Sequence, residues 1–259
     1  MRSHSLDWRR ARHLLLAVFA AACGTPSRQL AQPLSPAGRA LQLVVVTTPS
    51  WNATSGTVRR FERNADSNNW REAGRAEPVV VGRTGLAWGS DAPGAAPSAP
   101  RKREGDGKAP AGLFPLDTTF GFAPRAEMVW ARLPYAPLQP GSECVDDGKS
   151  THYNTVVDRA TVDRVDWTSA ERMREISVYR MGVIVGYNAP PRAGRGSCIF
   201  LHIWSGPTSS TAGCTAMDAT VLESLIRWLD PRARPVIVQL TESEYARLRG
   251  HWGLPRLAG

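Results

Sequence analysis

Apolar residues in this chain arrive in short β-branched runs, each cut off by glycine, proline or polar residues, and this punctuation constrains the fold more than any other feature. Leu43-Val44-Val45-Val46-Thr47 stops at Pro49, Pro78-Val79-Val80-Val81 stops at Gly82, and Arg234-Pro235-Val236-Ile237-Val238-Gln239-Leu240 gives way to Thr241-Glu242. Runs this short are strand-length, and 23 Gly with 20 Pro supply turns at a density no helical bundle or coiled coil tolerates. A hydrophobic content of 42% is enough for a substantial core and excludes general disorder. No apolar run reaches the roughly 18 residues that would cross a bilayer as a helix. The expectation is one mainly β domain, a sandwich or open barrel carrying a few short helices.

Leu43–Thr47 and Thr57–Phe61 read as an opening hairpin across a turn containing Asn52 and Gly56. Glu127–Ala131, Ile176–Val185 and Cys198–Trp204 read as further strands. Asp91–Pro100 is a low-complexity surface loop. Lys102–Phe114 is rich in glycine and charge but lacks the Gly-Lys-Ser/Thr ending of a phosphate loop, so it reads as a turn. Thr168-Ser169-Ala170-Glu171 has capping-box spacing and predicts a brief helix through Glu175. The clearest helix is Asp218–Leu229: Val221, Leu222, Leu225, Ile226 and Leu229 fall on one face, Asp218 is the N-cap, and Pro231 follows. A second capping box, Thr241–Glu244, opens a short helix closed by Gly250.

The first 22 residues read as an export signal, because Arg9, Arg10 and Arg12 precede the apolar run Leu14–Ala22. Cys23 then sits where a bacterial lipoprotein carries its lipid-modified cysteine, and residues 23–39, rich in Pro, Ser, Gln and Ala, read as a flexible tether to a domain spanning 40–259. The formal charge is +9; the signal holds four Arg and one Asp, so its removal leaves +6. Arginines scattered over an exported protein point to anionic cell-wall polymers or lipid head groups rather than nucleic acid. The expected location is the cell envelope, periplasmic or extracellular, with membrane contact only through the lipid anchor. Apart from Cys23, the cysteines are Cys144, Cys198 and Cys214. In an oxidising compartment two of these three pair and one stays free, with three pairings open.

The stretch from Ser197 to Met217, SCIFLHIWSGPTSSTAGCTAM, carries the chemistry. His202 lies on the even-numbered face of its strand with Cys198, Phe200 and Trp204, and Cys214 follows a loop of small and polar residues. If that loop folds back, imidazole and thiol meet, and a thiol of ordinary pKa about 8.5 gains a base that makes it nucleophilic. Gly213 lets the backbone approach a reacting carbonyl, and the Gly213 and Cys214 amides would form an oxyanion hole.

These residues resemble the L,D-transpeptidases with a YkuD-like catalytic domain. That family places a His at a strand end and, after a loop, a Ser or Thr, one further residue, Gly and the nucleophilic Cys; His202, Thr211, Ala212, Gly213 and Cys214 match. LVVVTTPSWNATSGTVRRFER, KREGDGKAPAGLFPL, SECVDDGKSTHYN and GSCIFLHIW look like a secreted branch of the same family, so the resemblance covers roughly residues 41–240. It implies a YkuD-like β fold and a cysteine acyl-enzyme: Cys214 attacks an amide carbonyl of a peptidoglycan stem peptide, expels a D-amino acid and passes the acyl group to an amine. His202 serves as base and then acid, Thr211 and Ala212 line the substrate side, and no metal or cofactor is needed.

Two positions depart from the commoner pattern, Ile203 after the histidine and Ala216 two residues after the cysteine, where Gly and Arg are usual. Either another cation then holds the donor stem, with Arg192 and Arg195 in the loop before the catalytic strand as candidates, or the substrate differs; Asn188, Tyr153 and Asn154 are further cleft residues. With Cys214 kept as the free nucleophile, the bridge falls to Cys144 and Cys198. Two rival functions remain: a secreted cysteine amidase or carboxypeptidase releasing the acyl group to water, and a non-catalytic envelope-binding lipoprotein.

Overall fold

The computed structural model describes residues 37–257 apart from Asn68, Asp91, Ala92 and Pro97; the expected export signal, Cys23 and most of the tether lie outside the described residues. Eleven strands position the site: β1 (Gln42–Thr48), β2 (Ser55–Glu62), β3 (Glu77–Val80), β4 (Ala109–Gly121), β5 (Ser142–Val145), β6 (Val156–Asp158), β7 (Ala170–Arg172), β8 (Met181–Val185), β9 (Phe200–Ile203), β10 (Thr215–Met217) and β11 (Val236–Thr241). Two helices accompany them, α1 (Ala219–Trp228) and α2 (Glu242–Trp252).

Eight strands run in the order β1-β11-β4-β8-β9-β10-β3-β2, and β2 pairs back onto β1, so the sheet closes into a barrel. The β1–β11 and β9–β10 pairs are parallel and the rest antiparallel. The mainly β architecture with few helices is as expected from the short runs. Closure follows from β2, whose register reaches β1 along one edge and β3 along the other, removing an exposed edge that an open sheet would leave. Strands β5, β6 and β7 form a separate three-stranded sheet in the order β7-β5-β6.

The main core gathers Leu43, Val45, Val58, Leu86, Trp88, Leu201, Ile203 and Leu240 with the buried faces of both helices. A second, smaller core holds Phe120, Cys144, Met173, Tyr179, Cys198, Phe200 and Cys214. Strand β9 divides them: Leu201 and Ile203 belong to the first, Phe200 to the second, as period-two alternation requires. Helix α1 buries Leu222, Leu225 and Ile226, and Asp218 caps it by accepting from Thr220 N. Helix α2 is capped by Thr241 as its spacing predicts, but it runs past Gly250 to Trp252, where Gly253 in the left-handed region closes it.

Four local expectations fail. Lys102–Phe114 is a turn only to Lys108; from Ala109 it is the start of β4, the longest strand, because Ala109 and Ala111 pack in the core. Glu127–Ala131 is not a strand: its first residue closes a 3-10 turn, Arg125–Glu127, and Val129 is 84% exposed. Of Ile176–Val185 only Met181–Val185 is a strand, the earlier part being the 3-10 turn Ser177–Arg180. The brief helix after Thr168 is replaced by β7 and another 3-10 turn, because Asp147 takes both the amide and the hydroxyl of Thr168 and Ala170 pairs with Val145. Residues 37–39, counted in the tether, turn against the body: Ala37 is buried and its carbonyl accepts from Arg63 Nη2 at 2.6 Å.

Candidate active site

The loop from Trp204 to Cys214 returns to the sheet because Thr211 is pinned on both sides of its peptide. Thr211 N donates to Val81 O at 3.1 Å and Arg83 N donates to Thr211 O at 2.8 Å, an isolated bridge extending the β3 line. Within the turn, Thr211 Oγ1 donates to Cys214 O at 2.6 Å and accepts from Gly213 N at 3.1 Å. Gly213 is needed because a Cβ there would stand 3.0 Å from the Lys108 carbonyl oxygen. Strand β10 then enters parallel to β9, with Leu201 opposite Thr215 and His202 opposite Ala216.

This register places the Cys214 sulfur against the β9 backbone one level below Leu201. Phe200 N donates to Sγ at 3.3 Å and the thiol donates to Cys198 O at 3.4 Å. His202 lies two residues further along the same strand from Phe200, about 7 Å of strand. Its Nδ1 is 2.8 Å from Ile203 O; a carbonyl can only accept, so Nδ1 carries the hydrogen and Nε2 is left as a proton acceptor. Thiol and imidazole are not hydrogen-bonded to one another. Tyr179 links them instead: its ring packs edge-on against the imidazole at 5.2 Å, and its hydroxyl interacts with the sulfur.

Burial sets the electrostatics. The Cys214 thiol is pushed up to about 12 by desolvation and then by the negative charge of Glu171, with the Phe200 amide opposing. At neutral pH the resting sulfur is therefore a thiol, not a thiolate. Burial also lowers the His202 imidazole, against a smaller opposing effect of Ile203 O, so the ring is a neutral base.

A pocket of about 140 Å³ opens onto Cys214, lined by Ala212, Gly213, Ser197 and Ile199, the cations Arg83 and Lys102, and the carboxylates Glu104, Asp146 and Glu171. Lys102 is buried and paired with Asp106 at 2.6 Å. Glu104 accepts from Ser197 at 2.9 Å and from the Tyr153 hydroxyl. Arg83 is exposed, and its guanidinium has no partner among the described residues.

The structure thus brings Cys214, Gly213 and Ala212 to one pocket, whereas His202 is not among the residues lining it and packs against Tyr179 on the adjoining strand. Thr211 is a brace inside the turn. Asn188 and Arg195 lie elsewhere: Asn188 Nδ2 donates to Arg192 O and Gly196 O, holding its own loop, and the Arg195 carbonyl accepts from the Tyr187 hydroxyl. Neither lines the pocket of Cys214. Asn154 likewise supports rather than lines, since its Oδ1 accepts from Cys198 N at 2.9 Å. Arg83, Tyr179, Glu171 and Asp146 escaped the sequence reading, since each reaches the site from a distant segment with no spacing relation to Cys214.

Cys144 and Cys198 form a disulfide with Cα atoms 6.0 Å apart, and Cys214 is free. Cys198 is not on the strand face shared with His202: it precedes β9 at φ 56°, a kink held by Asn154. The bridge ties β5 of the small sheet to the segment whose carbonyl receives the Cys214 thiol. Its 54-residue separation corresponds to a chain-entropy stabilisation of about 4 kcal/mol. Replacing both half-cystines, Cys144→Ala with Cys198→Ala, is expected to lower the unfolding free energy by about that amount, read as the urea midpoint.

Compared with known proteins, the chain matches no family model, no curated protein and no solved structure.

Proposed function

We propose that the chain is an envelope cysteine acyltransferase of the L,D-transpeptidase type, acting on peptidoglycan stem peptides. The observation that carries this reading is the free Cys214 at a pocket whose adjoining strand holds His202 in the tautomer that leaves Nε2 as its proton acceptor. The disulfide supports export to an oxidising compartment.

The donor amide carbonyl enters the pocket, and His202 Nε2 takes the thiol proton as sulfur attacks the carbonyl carbon. Since the thiol is protonated at rest, base and nucleophile act together in that step, and their contact tightens once a substrate displaces the resting bonds. The Gly213 amide is already engaged by Thr211, so the developing oxyanion falls to the Cys214 amide. Collapse breaks the C–N bond, the imidazolium protonates the leaving amine, and a thioester remains. An acceptor amine attacks that thioester, His202 removes its proton, and the sulfur leaves as the thiol. In place of the missing arginine at position 216, Arg83 is the exposed cation fitted to hold a donor carboxylate, because its backbone is bonded to Thr211 beside the nucleophile.

The test is incubation of the full chain with disaccharide-tetrapeptide stems, with and without an added D-amino acid. Loss of the terminal residue with gain of the added amine is the expected mass change. Loss of the terminal residue alone, unchanged by the amine, would assign hydrolysis instead, and unaltered stems with no thioester adduct would leave an envelope-binding protein.

A further inference from the structure

Tyr179 and Glu171 stand beside the nucleophile without a part in the route above. The Tyr179 ring is held edge-on by Phe120, Phe200 and His202 at 5.9, 5.4 and 5.2 Å. This packing fixes the phenol, so its hydroxyl has little freedom to find other partners. It donates to Glu171 Oε2 at 2.7 Å, and it packs with Cys214 in the same small core, where the two side chains influence one another's titration. Glu171 sits on β7 directly opposite Cys144, on the sheet that the disulfide ties to Cys198. A phenol has one proton, and two acceptors compete for it.

We propose that Glu171 and Tyr179 form a hydroxyl switch governing the nucleophilicity of Cys214. With Glu171 ionised, the phenol proton points to the carboxylate. With Glu171 protonated, the carboxylic acid donates to the phenol oxygen and the phenol proton turns to the sulfur, where it stabilises the thiolate. One proton is taken up from solvent onto Glu171, the phenol rotates about its C–O bond, and no covalent bond between heavy atoms changes. The inference rests on Cys214 being the nucleophile.

The surrounding charges favour such a switch. Burial raises the Glu171 carboxyl to about 7, helped by Asp146 and Glu104 and opposed by the Tyr179 bond, so both states are populated near neutrality. The other charged groups facing the pocket are Arg83, which projects to solvent, and Lys102, held by Asp106. His202 faces Tyr179 from β9. Glu171 ionisation raises the Cys214 thiol, whereas the Tyr179 bond lowers it, so protonating Glu171 moves both effects in the same direction.

The experiment is the rate of iodoacetamide alkylation of the full chain, read at the Cys214 peptide by mass, from pH 6 to 9, in wild type, Glu171→Gln, Tyr179→Phe and the double variant. Glu171→Gln should match wild type at pH 6 and react about threefold faster at pH 9. One unit of thiol pKa is tenfold in thiolate, of which about threefold survives the lower nucleophilicity of a more acidic thiol. In the Tyr179→Phe background that gain should shrink, because the hydroxyl that relays it is gone. Wild type itself should show a slope below one in log rate against pH around 7, and Tyr179→Phe a slope nearer one. A Glu171→Gln ratio that is the same at pH 6 and 9, or a gain fully retained without the hydroxyl, would overturn the switch. No peptidoglycan enters this assay, so a failed product assay and a failed switch are separate results.

Discussion

Cys214→Ala is expected to abolish stem-peptide turnover, a loss of at least about ten-thousand-fold, and to remove every covalent adduct with the substrate or with a carbapenem. The sulfur is the free thiol among the described residues and lies at the floor of the pocket that would hold the carbonyl. The same variant should stay folded. What the sulfur contributes at rest is a pair of long bonds, to Phe200 N at 3.3 Å and Cys198 O at 3.4 Å, and a place in the small aromatic core. Deleting it should cost about 1 kcal/mol, a shift of a few degrees in thermal unfolding. Full activity in Cys214→Ala would remove the acyl-enzyme; loss of activity together with loss of the cooperative transition would show a purely structural cysteine.

His202→Gln should lower kcat/KM by about a thousandfold while leaving the thiol in place. Glutamine preserves much of the volume between Tyr179 and β9 but cannot take a proton from the sulfur. The pH profile gives the sharper reading. Burial lowers the imidazole pKa below its ordinary 6.5, and only the neutral ring is a base, so the acid limb of wild-type kcat/KM that reports loss of the base should lie below pH 6.5, beneath the change of about threefold that Glu171 brings around neutrality. The residual activity of His202→Gln should lack that acid limb. An acid limb persisting unchanged in the variant would assign the base to another group.

The strands that build the barrel were legible because their signal is local. Runs such as Leu43–Val46 and Val236–Val238 are buried along most of their length, and a run buried on both faces needs no partner to announce itself. The caps Asp218 and Thr241 were legible for the same reason, each bonding an amide two or three residues away. Glu127–Ala131 misled because apolar composition carries no information about what will cover it; Val129 found no cover and stayed in solvent. The start of β4 was hidden because Ala-Pro-Ala-Gly has no strand propensity of its own and is held extended by Leu86–Trp88 along Ala109–Ala111 and by β11 from Gly112 onward.

By itself the sequence determined a mainly β chain, the order His202 before Cys214, and the loop of small residues that lets the second strand return beside the first. Those properties depend on neighbours within a few residues or on the period of a single strand. Only the tertiary structure decided that the sheet closes, that Cys198 sits in a kink off the strand face of His202, that Thr211 braces the turn, and that Arg83, Tyr179 and Glu171 gather near the sulfur. Such contacts join segments dozens of residues apart, and their energies come from packing and desolvation, which exist only once the chain has folded.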